Sequence, residues 1–336
     1  MDSVIVGASI AAHLAALPAV RRHTSRLLPK RLQRDLMARA TAADAGGAED
    51  APPSLPTGYK VPDVWTFKDL GGKMGAMNRP TAGARMDLKL NVGKHPYQLY
   101  SLGTPNGVKV TAMLEELGVE YDAWFVDIFK LEQFGSEFVG VNPNSKIPAL
   151  MDHSVSGAPQ RVFESGHILL YLAEKEEKFI PKPGTPQRVE CMNWLFWQMA
   201  SAPYIGGGFG HFYNYAPVKI EYCIDRFSME TKRQLDVLDK RLAESPYLAG
   251  PEYTIADIAT WPWIQCLFKW YGKAAAFLQL EEEYPHVMAW YKACSQRPAS
   301  QRGMRVNSTS ANDLGEPPIR DRHSPSDFDV KPAASA

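Results

Sequence analysis

The spacing of apolar residues changes character once along this 336-residue chain, and that change restricts the folds open to it. From residue 97 to about residue 175, short alternating runs bounded by turn residues exchange with a 3.6-residue period. After Lys182 strand signals nearly vanish and helical spacing alone persists. Tyr97-Gln-Leu-Tyr-Ser-Leu102 alternates and carries aromatics, as a strand does. Gly103-Thr-Pro-Asn-Gly107 is a turn cluster, and Val110, Met113, Leu114 and Leu117 then share a helical face that Gly118 ends. Residues 121–127 read as a second strand, so this order implies a parallel pair with a right-handed crossover. A polar loop with a short helix over residues 130–144 leads to short apolar runs at 147–150 and 161–163, an antiparallel hairpin around the turn-rich 154–159. Ile168, Leu169, Tyr171 and Leu172 mark a second helix, completing a small α/β sheet. Beyond it, Val189, Met192, Leu195, Phe196 and Met199 mark one helix. Ile220, Ile224, Phe227, Leu235, Leu238 and Leu242 keep one face of a longer one. Thr254-Ile-Ala-Asp257 is a capping box, and a further helix runs near residues 286–295. The expectation is an α/β domain followed by an all-α domain.

Composition narrows the function classes. Hydrophobic residues at 45% and charged residues at 22% suffice for a buried core. Thirty-seven basic residues balance thirty-seven acidic ones, which leaves no electrostatic footprint for nucleic acid. Cys191, Cys223, Cys266 and Cys294 form no C-x-x-C pair and have no histidine at zinc-finger spacing, so free thiols are expected and no metal. Neither H-E-x-x-H, G-x-x-x-x-G-K nor G-x-S-x-G occurs.

Residues 1–56 form an N-terminal extension with Arg21, Arg22, Arg26, Lys30, Arg31, Arg34 and Arg39 among many Ala and Leu, then a Pro- and Gly-containing stretch. They read as an organellar presequence plus linker, or as an untargeted disordered arm. The apolar run over residues 4–17 is short for a membrane span and lacks a positive flank, so no membrane association is expected. The expected location is the cytoplasm, or a mitochondrion or plastid if the extension is a presequence. Residues 303–336, with Pro317, Pro318, Pro325 and Pro332, read as a polar tail packed on the surface or trailing free.

The order of elements suggests a thioredoxin-like domain followed by helices, and specific strings sharpen this. Val141-Asn-Pro-Asn-Ser-Lys-Ile-Pro-Ala-Leu150 and Phe163-Glu-Ser-Gly166 resemble the glutathione site of glutathione transferases. Tyr253-Thr-Ile-Ala-Asp-Ile258 is similar to the folding signature of that family's helical domain. Ser101-Leu-Gly-Thr-Pro-Asn-Gly107, Asn78-Arg-Pro80, Asn193-Trp-Leu-Phe-Trp197 and Gly206-Gly-Gly-Phe-Gly-His-Phe-Tyr213 resemble the nu class, whose members act as glutathione-dependent disulfide oxidoreductases. The resemblance implies a nu-type arm at 57–96, a thioredoxin-like glutathione-binding domain at 97–178, an α-helical domain at 186–302 and the tail from 303. It also implies a homodimer, with glutathione as co-substrate and a small disulfide or electrophile as partner substrate. A glutathione-binding regulatory protein with weak catalysis, like the nitrogen-regulator prion-domain relatives, is the alternative. The Asn/Gln-rich arm of those relatives is absent here.

Each site residue has a plain reading beside the functional one. Ile147-Pro148 fixes a turn, or as a cis bond turns the Ile147 backbone outward to pair with the cysteinyl backbone of glutathione. Glu164-Ser165 is a helix cap, or holds the γ-glutamyl carboxylate on Ser165 and helix amides and its ammonium on Glu164. Thr104, Pro105 and Asn106 are turn residues, or bind glutathione with Thr104 and Asn106 stabilising its thiolate at a helix N-terminus. Lowering a thiol pKa from about 8.5 by roughly two units takes about 2.7 kcal/mol, the scale of a hydroxyl donor plus helix-end amides. Gln133 and Lys146 are surface residues, or contacts to glutathione as the nu pattern implies. The same pattern places Asn78 and Arg226 at a second glutathione. Arg226 alternatively pairs with a neighbour such as Glu230. His211, Tyr213 and Tyr215 are core aromatics, or wall the second-substrate pocket. The family carries a Gln two positions after Asn-Trp-Leu-Phe-Trp, where this chain has Met199 preceded by Gln198.

Overall fold

Four short strands and the helices between them are organised around β1, Tyr97–Ser101, whose five residues are all buried. The computed structural model describes residues 61–67, 77 and 79–329. The N-terminal extension at 1–56 and Asn78 lie outside the described residues. β1 runs into α1, Pro105–Leu117, and β2, Tyr121–Phe125, returns parallel to it, pairing Tyr97 with Tyr121 and Ser101 with Phe125. A short helix α2, Ser136–Val141, precedes β3, Ala149–Asp152, and β4, Gln160–Phe163. Both β3 pairings are antiparallel, giving the order β2-β1-β3-β4. This is the thioredoxin-like arrangement, with its hairpin strands one or two residues from where the pattern puts them.

Alternation along β1 serves two faces. Tyr97 and Leu99 enter a core with Val110, Met113 and Leu114 of α1 and Ile168 and Leu169 of α3, Ser165–Lys175. Tyr100 enters a smaller cluster with Val126, Phe138 and Ala149. The sheet is therefore covered on both sides, which is why β1 reads as fully buried.

The helical domain starts with α4, Pro186–Pro203, capped by Thr185. A wider, π-type stretch continues it over Tyr204–Tyr215. α5, Glu221–Glu244, and α6, Ile255–Lys269, follow. Two single-turn helices, α7 (Ala274–Phe277) and α8 (Leu280–Glu283), lead to α9, Pro285–Ser295, and α10, Pro298–Arg305. The capping box is present: the Thr254 amide donates to Asp257 Oδ2 at 3.0 Å, and Thr254 accepts from the Ala256 amide. The same carboxylate accepts from the Leu248 amide at 3.0 Å and Trp290 Nε1 at 2.9 Å, tying α6 to α9.

The tail is a structural element, which differs from its reading as loose polar chain. α10 spans residue 303, where composition changes, because Gly303 lets it cross α1 in contact: a Cβ there would stand 2.6 Å from the Ala112 nitrogen. Further on, Arg322 and Ala123 exchange backbone bonds at 2.8 and 3.0 Å. Asp321 accepts from the Phe125 amide at 2.7 Å. These contacts cover the open edge of β2, whose backbone groups otherwise lack partners. The Asn307 carbonyl also accepts from the Gly103 amide at 2.7 Å, which holds the turn before α1 from behind.

Candidate functional site

That turn presents Thr104 as the N-cap of α1. Its Oγ1 accepts from the Gly107 amide at 3.3 Å, which leaves the hydroxyl proton to donate elsewhere. Pro105 occupies the first helical position, where its missing N–H costs nothing. Gly107 is required because a Cβ there would meet the Leu102 carbonyl at 1.9 Å. Asn106 Oδ1 accepts from Trp263 Nε1 at 3.2 Å and from Ser165 Oγ at 3.4 Å, which leaves its amide nitrogen as the end not engaged by these bonds.

Thr104, Pro105 and Asn106 line an open cleft of about 860 Å³. Gln133, Ser145, Lys146 and Ile147 line the same cleft from the thioredoxin-like domain. The Ile147–Pro148 bond is cis. Pro148 is buried and does not itself line the cleft. Gln133 is only 3% exposed; its Nε2 donates to the Ile128 carbonyl, while its Oε1 is buried without a partner. Ser145 Oγ is a second buried polar atom in this state. Lys146 has a pKa lowered from the ordinary lysine value by the protein packed around it and by the Arg85 charge. Arg85 lies over the Phe134 ring and donates to the Met77 carbonyl, and Met77 also lines the cleft.

Glu164 and Ser165 stand beside this lining, joined to it through Asn106. Glu164 adopts φ 70° and ψ 118°, a conformation unfavourable for a residue with a Cβ. It sits at the N-cap of α3, yet its side chain makes no capping bond. The plain reading of Glu164 as a side-chain cap is therefore not what the geometry shows.

The opposite wall comes from the helical domain and is largely apolar, with Phe212, Tyr215, Val218, Ile220, Trp263 and Tyr271. The glycine run explains its shape. A Cβ on Gly206, Gly208 or Gly210 would meet the rings of Trp263, Phe227 and Tyr271 at 2.7, 2.3 and 2.5 Å, so alternate glycines let three aromatics pack on bare backbone. His211 and Tyr215 line the cleft, as the second-pocket reading requires. Tyr213 does not: its ring packs 4.9 Å from both Phe209 and Phe277, on the core side of the segment. Arg226 is exposed on α5 and does not line the cleft, because it is the next residue, Phe227, that turns toward Gly208. Glu230 pairs with Arg233 instead of Arg226.

Sequence reasoning missed two groups. Trp263 orients Asn106 from 157 positions away, a contact without local signature. Lys109 is fully buried, and its Nζ donates to Gln198 Oε1 at 2.7 Å and Ser165 Oγ at 3.4 Å. A signal existed: between Gly107 and Leu114 the helix has no polar stripe, so a lysine within it cannot reach water. The position in doubt, Met199, also lies against Lys109 and Ser165, at 3.5 and 3.9 Å from its sulfur. The cysteines stay away from this chemistry: Cys191, Cys266 and Cys294 are buried, and burial raises each of their pKa values.

A thioredoxin-like sheet, a cis proline beside a helix N-terminus and a helical second wall define a glutathione transferase architecture. The chain belongs to the glutathione transferase family: residues 95–174 match the family described as Glutathione S-transferase, N-terminal domain, and residues 208–298 its C-terminal domain. It is 55% identical over 280 residues to the disulfide-bond oxidoreductase YghU of Escherichia coli K12, covering 81% of this chain and 96% of that protein. It is 42% identical to the disulfide-bond oxidoreductase YfcG of the same organism, covering 61% and 93%. Among solved structures, glutathione transferase YghU from Streptococcus pneumoniae, complexed with glutathione, superposes with a TM-score of 0.72 at 51% identity, covering 76% of this chain and 100% of that one.

Proposed function

We propose that this protein is a glutathione-dependent disulfide reductase in which a bound glutathione thiolate does the chemistry. The carrying observation is the convergence of Thr104, Asn106 and the Ile147 backbone on one cleft that also contains two unpartnered buried polar atoms, Gln133 Oε1 and Ser145 Oγ. Buried polar atoms without partners are costly, and a peptide ligand's N–H groups satisfy such acceptors. The names of the relatives, two disulfide-bond oxidoreductases and a glutathione-complexed transferase, support the same reading.

In this reading the Ile147 backbone pairs with the cysteinyl residue, Glu164 takes the γ-glutamyl ammonium, Ser165 takes its carboxylate and Lys146 and Gln133 hold the other end. The sulfur then faces the start of α1, where the Thr104 hydroxyl, the Asn106 amide and helix-end N–H groups favour the thiolate. That thiolate attacks one sulfur of a disulfide, the other sulfur leaves as a thiol after taking a proton, and a second glutathione resolves the mixed disulfide to glutathione disulfide. The cleft, at the upper end of the roughly 300–1,000 Å³ typical of small-molecule sites, has room for a second ligand beside the aromatic wall. The reading includes a homodimer, supported by Val189 and Phe196, exposed apolar residues seven positions apart on α4.

Glu164→Ala is expected to weaken glutathione binding by about 1.5–3 kcal/mol, the scale of a charge-assisted bond, and to lower turnover of a small symmetric disulfide at subsaturating glutathione. Stability should hold, since the side chain caps nothing. Calorimetric affinity equal to wild type would remove Glu164 from the site, and absence of glutathione-dependent disulfide turnover in wild type would refute the function.

A further inference from the structure

Lys109 is a buried cation with no anion in contact. Its three N–H donors meet neutral atoms: Gln198 Oε1 at 2.7 Å, Ser165 Oγ at 3.4 Å and Met199 Sδ at 3.5 Å. The Trp263 ring lies 6.0 Å away. Among the groups packed around it, α4 contributes neutral Gln198 and Met199 and α6 contributes neutral Trp263. The arginines of α10 nearest α1 engage elsewhere, Arg302 with Glu115 and Arg305 with the Pro317 carbonyl. Glu164, at the start of α3, is the one charge that acts on Lys109 appreciably. Burial outweighs it and pushes the lysine pKa down to about 7.

A buried charge without a counter-ion is destabilising, and a well-packed apolar side chain fits such a place better. The bonds around Ser165 show where an anion belongs. Ser165 has one hydroxyl proton. Accepting from Lys109, it must act as a donor, and at present it donates to Asn106 Oδ1 at 3.4 Å. We propose that Lys109 is a positioning residue of the glutathione site: through Ser165 it supplies the buried positive charge that receives the γ-glutamyl carboxylate, and it takes up a proton when that carboxylate binds. This rests on the glutathione reading above. The Ser165 proton swings from Asn106 to the carboxylate, and Asn106 keeps the Trp263 bond.

The test is calorimetric titration of the full chain with S-methylglutathione, whose blocked thiol releases no proton, at pH 8 in two buffers of different ionisation enthalpy. Wild type is expected to take up about half a proton or more per site, and its affinity to fall as pH rises from 7 to 9. Lys109→Met, and Lys109→Met/Gln198→Leu, which leaves no unpaired amide oxygen, are expected to bind about tenfold or more weaker at pH 7, with no proton uptake and a flat pH profile. A lysine serving only packing would shift thermal stability and leave the proton count unchanged. Wild-type binding without uptake, or uptake that survives in either variant, would overturn the inference while leaving the glutathione site standing. Failure of wild type to bind S-methylglutathione would overturn that site as well.

Discussion

Thr104 performs two tasks with one oxygen, and they separate by mutation. Its lone pair caps α1 through the Gly107 amide, and its proton is free for a ligand. Thr104→Ala loses both: about 1 kcal/mol of stability from the cap and, if the hydroxyl holds the thiolate, roughly 1.4–2.7 kcal/mol of the barrier, a ten- to a hundredfold loss in kcat. Thr104→Ser keeps the oxygen and should retain most of both. The pH–rate profiles of the two variants decide the matter: the Ala variant's acidic limb should move to higher pH as the bound thiol becomes harder to ionise. A profile identical to wild type would assign thiol activation to the helix amides alone. Lys109 carries a separate pH signature. Its folded pKa lies below the unfolded value, so the unfolded chain binds more protons between about pH 7 and 10.5 and this residue's contribution to stability improves as pH rises through that window.

At the scale of elements, Asp257 shows how a local signal acquires a distant purpose. The capping box is visible in four consecutive residues, but two of the bonds to its carboxylate come from Leu248 and Trp290. Asp257→Ala would leave the Leu248 amide and the Trp290 indole N–H buried without an acceptor. A loss of about 3 kcal/mol is expected, from about 1–3 kcal/mol for each stranded donor. Thermal unfolding measures it, and a change below 1 kcal/mol would show that water replaces the carboxylate. The glycine run before α5 follows a similar logic. Read alone it marks flexible chain, yet here it lets Trp263, Phe227 and Tyr271 approach the backbone and shapes the apolar wall.

On the scale of the molecule, the tail connects β2, α1 and the Thr104 turn. Arg322 is 3% exposed, its guanidinium lies 3.8 Å from the Tyr121 ring centre, and it donates to the Tyr121 carbonyl at 2.6 Å. Glu115 and Glu116, unfavourable near the C-terminus of α1, are paired by Arg302 and Arg297 of the α10 region. A chain ending at Arg302 should therefore expose the β2 edge and release Gly103. It is expected to bind a hydrophobic dye, to self-associate in sedimentation runs and to lose activity along with its cooperative transition. Arg322→Ala, a milder change, should cost about 3 kcal/mol. A truncated chain that stays monomeric and fully active would show that the tail is dispensable.

The element order, the capping box, the turn before α1 and the polar wall of the cleft were legible in the sequence because each is written in neighbouring residues. Periodicity, caps and turn chemistry act over a few positions, so Thr104, Asn106 and Ile147 could be assigned before any packing was known. The faces presented by other residues depend on which elements meet. Packing against Phe209 and Phe277 turned Tyr213 inward, and Phe227 on the glycine run left Arg226 facing out. Pairing with an open strand edge made a polar tail part of the sheet, and the closure of α3, α4 and α6 around α1 put Lys109 out of reach of water. Tertiary structure decided these because burial and backbone pairing are set by partners more than fifty residues away, whose identity no local pattern encodes.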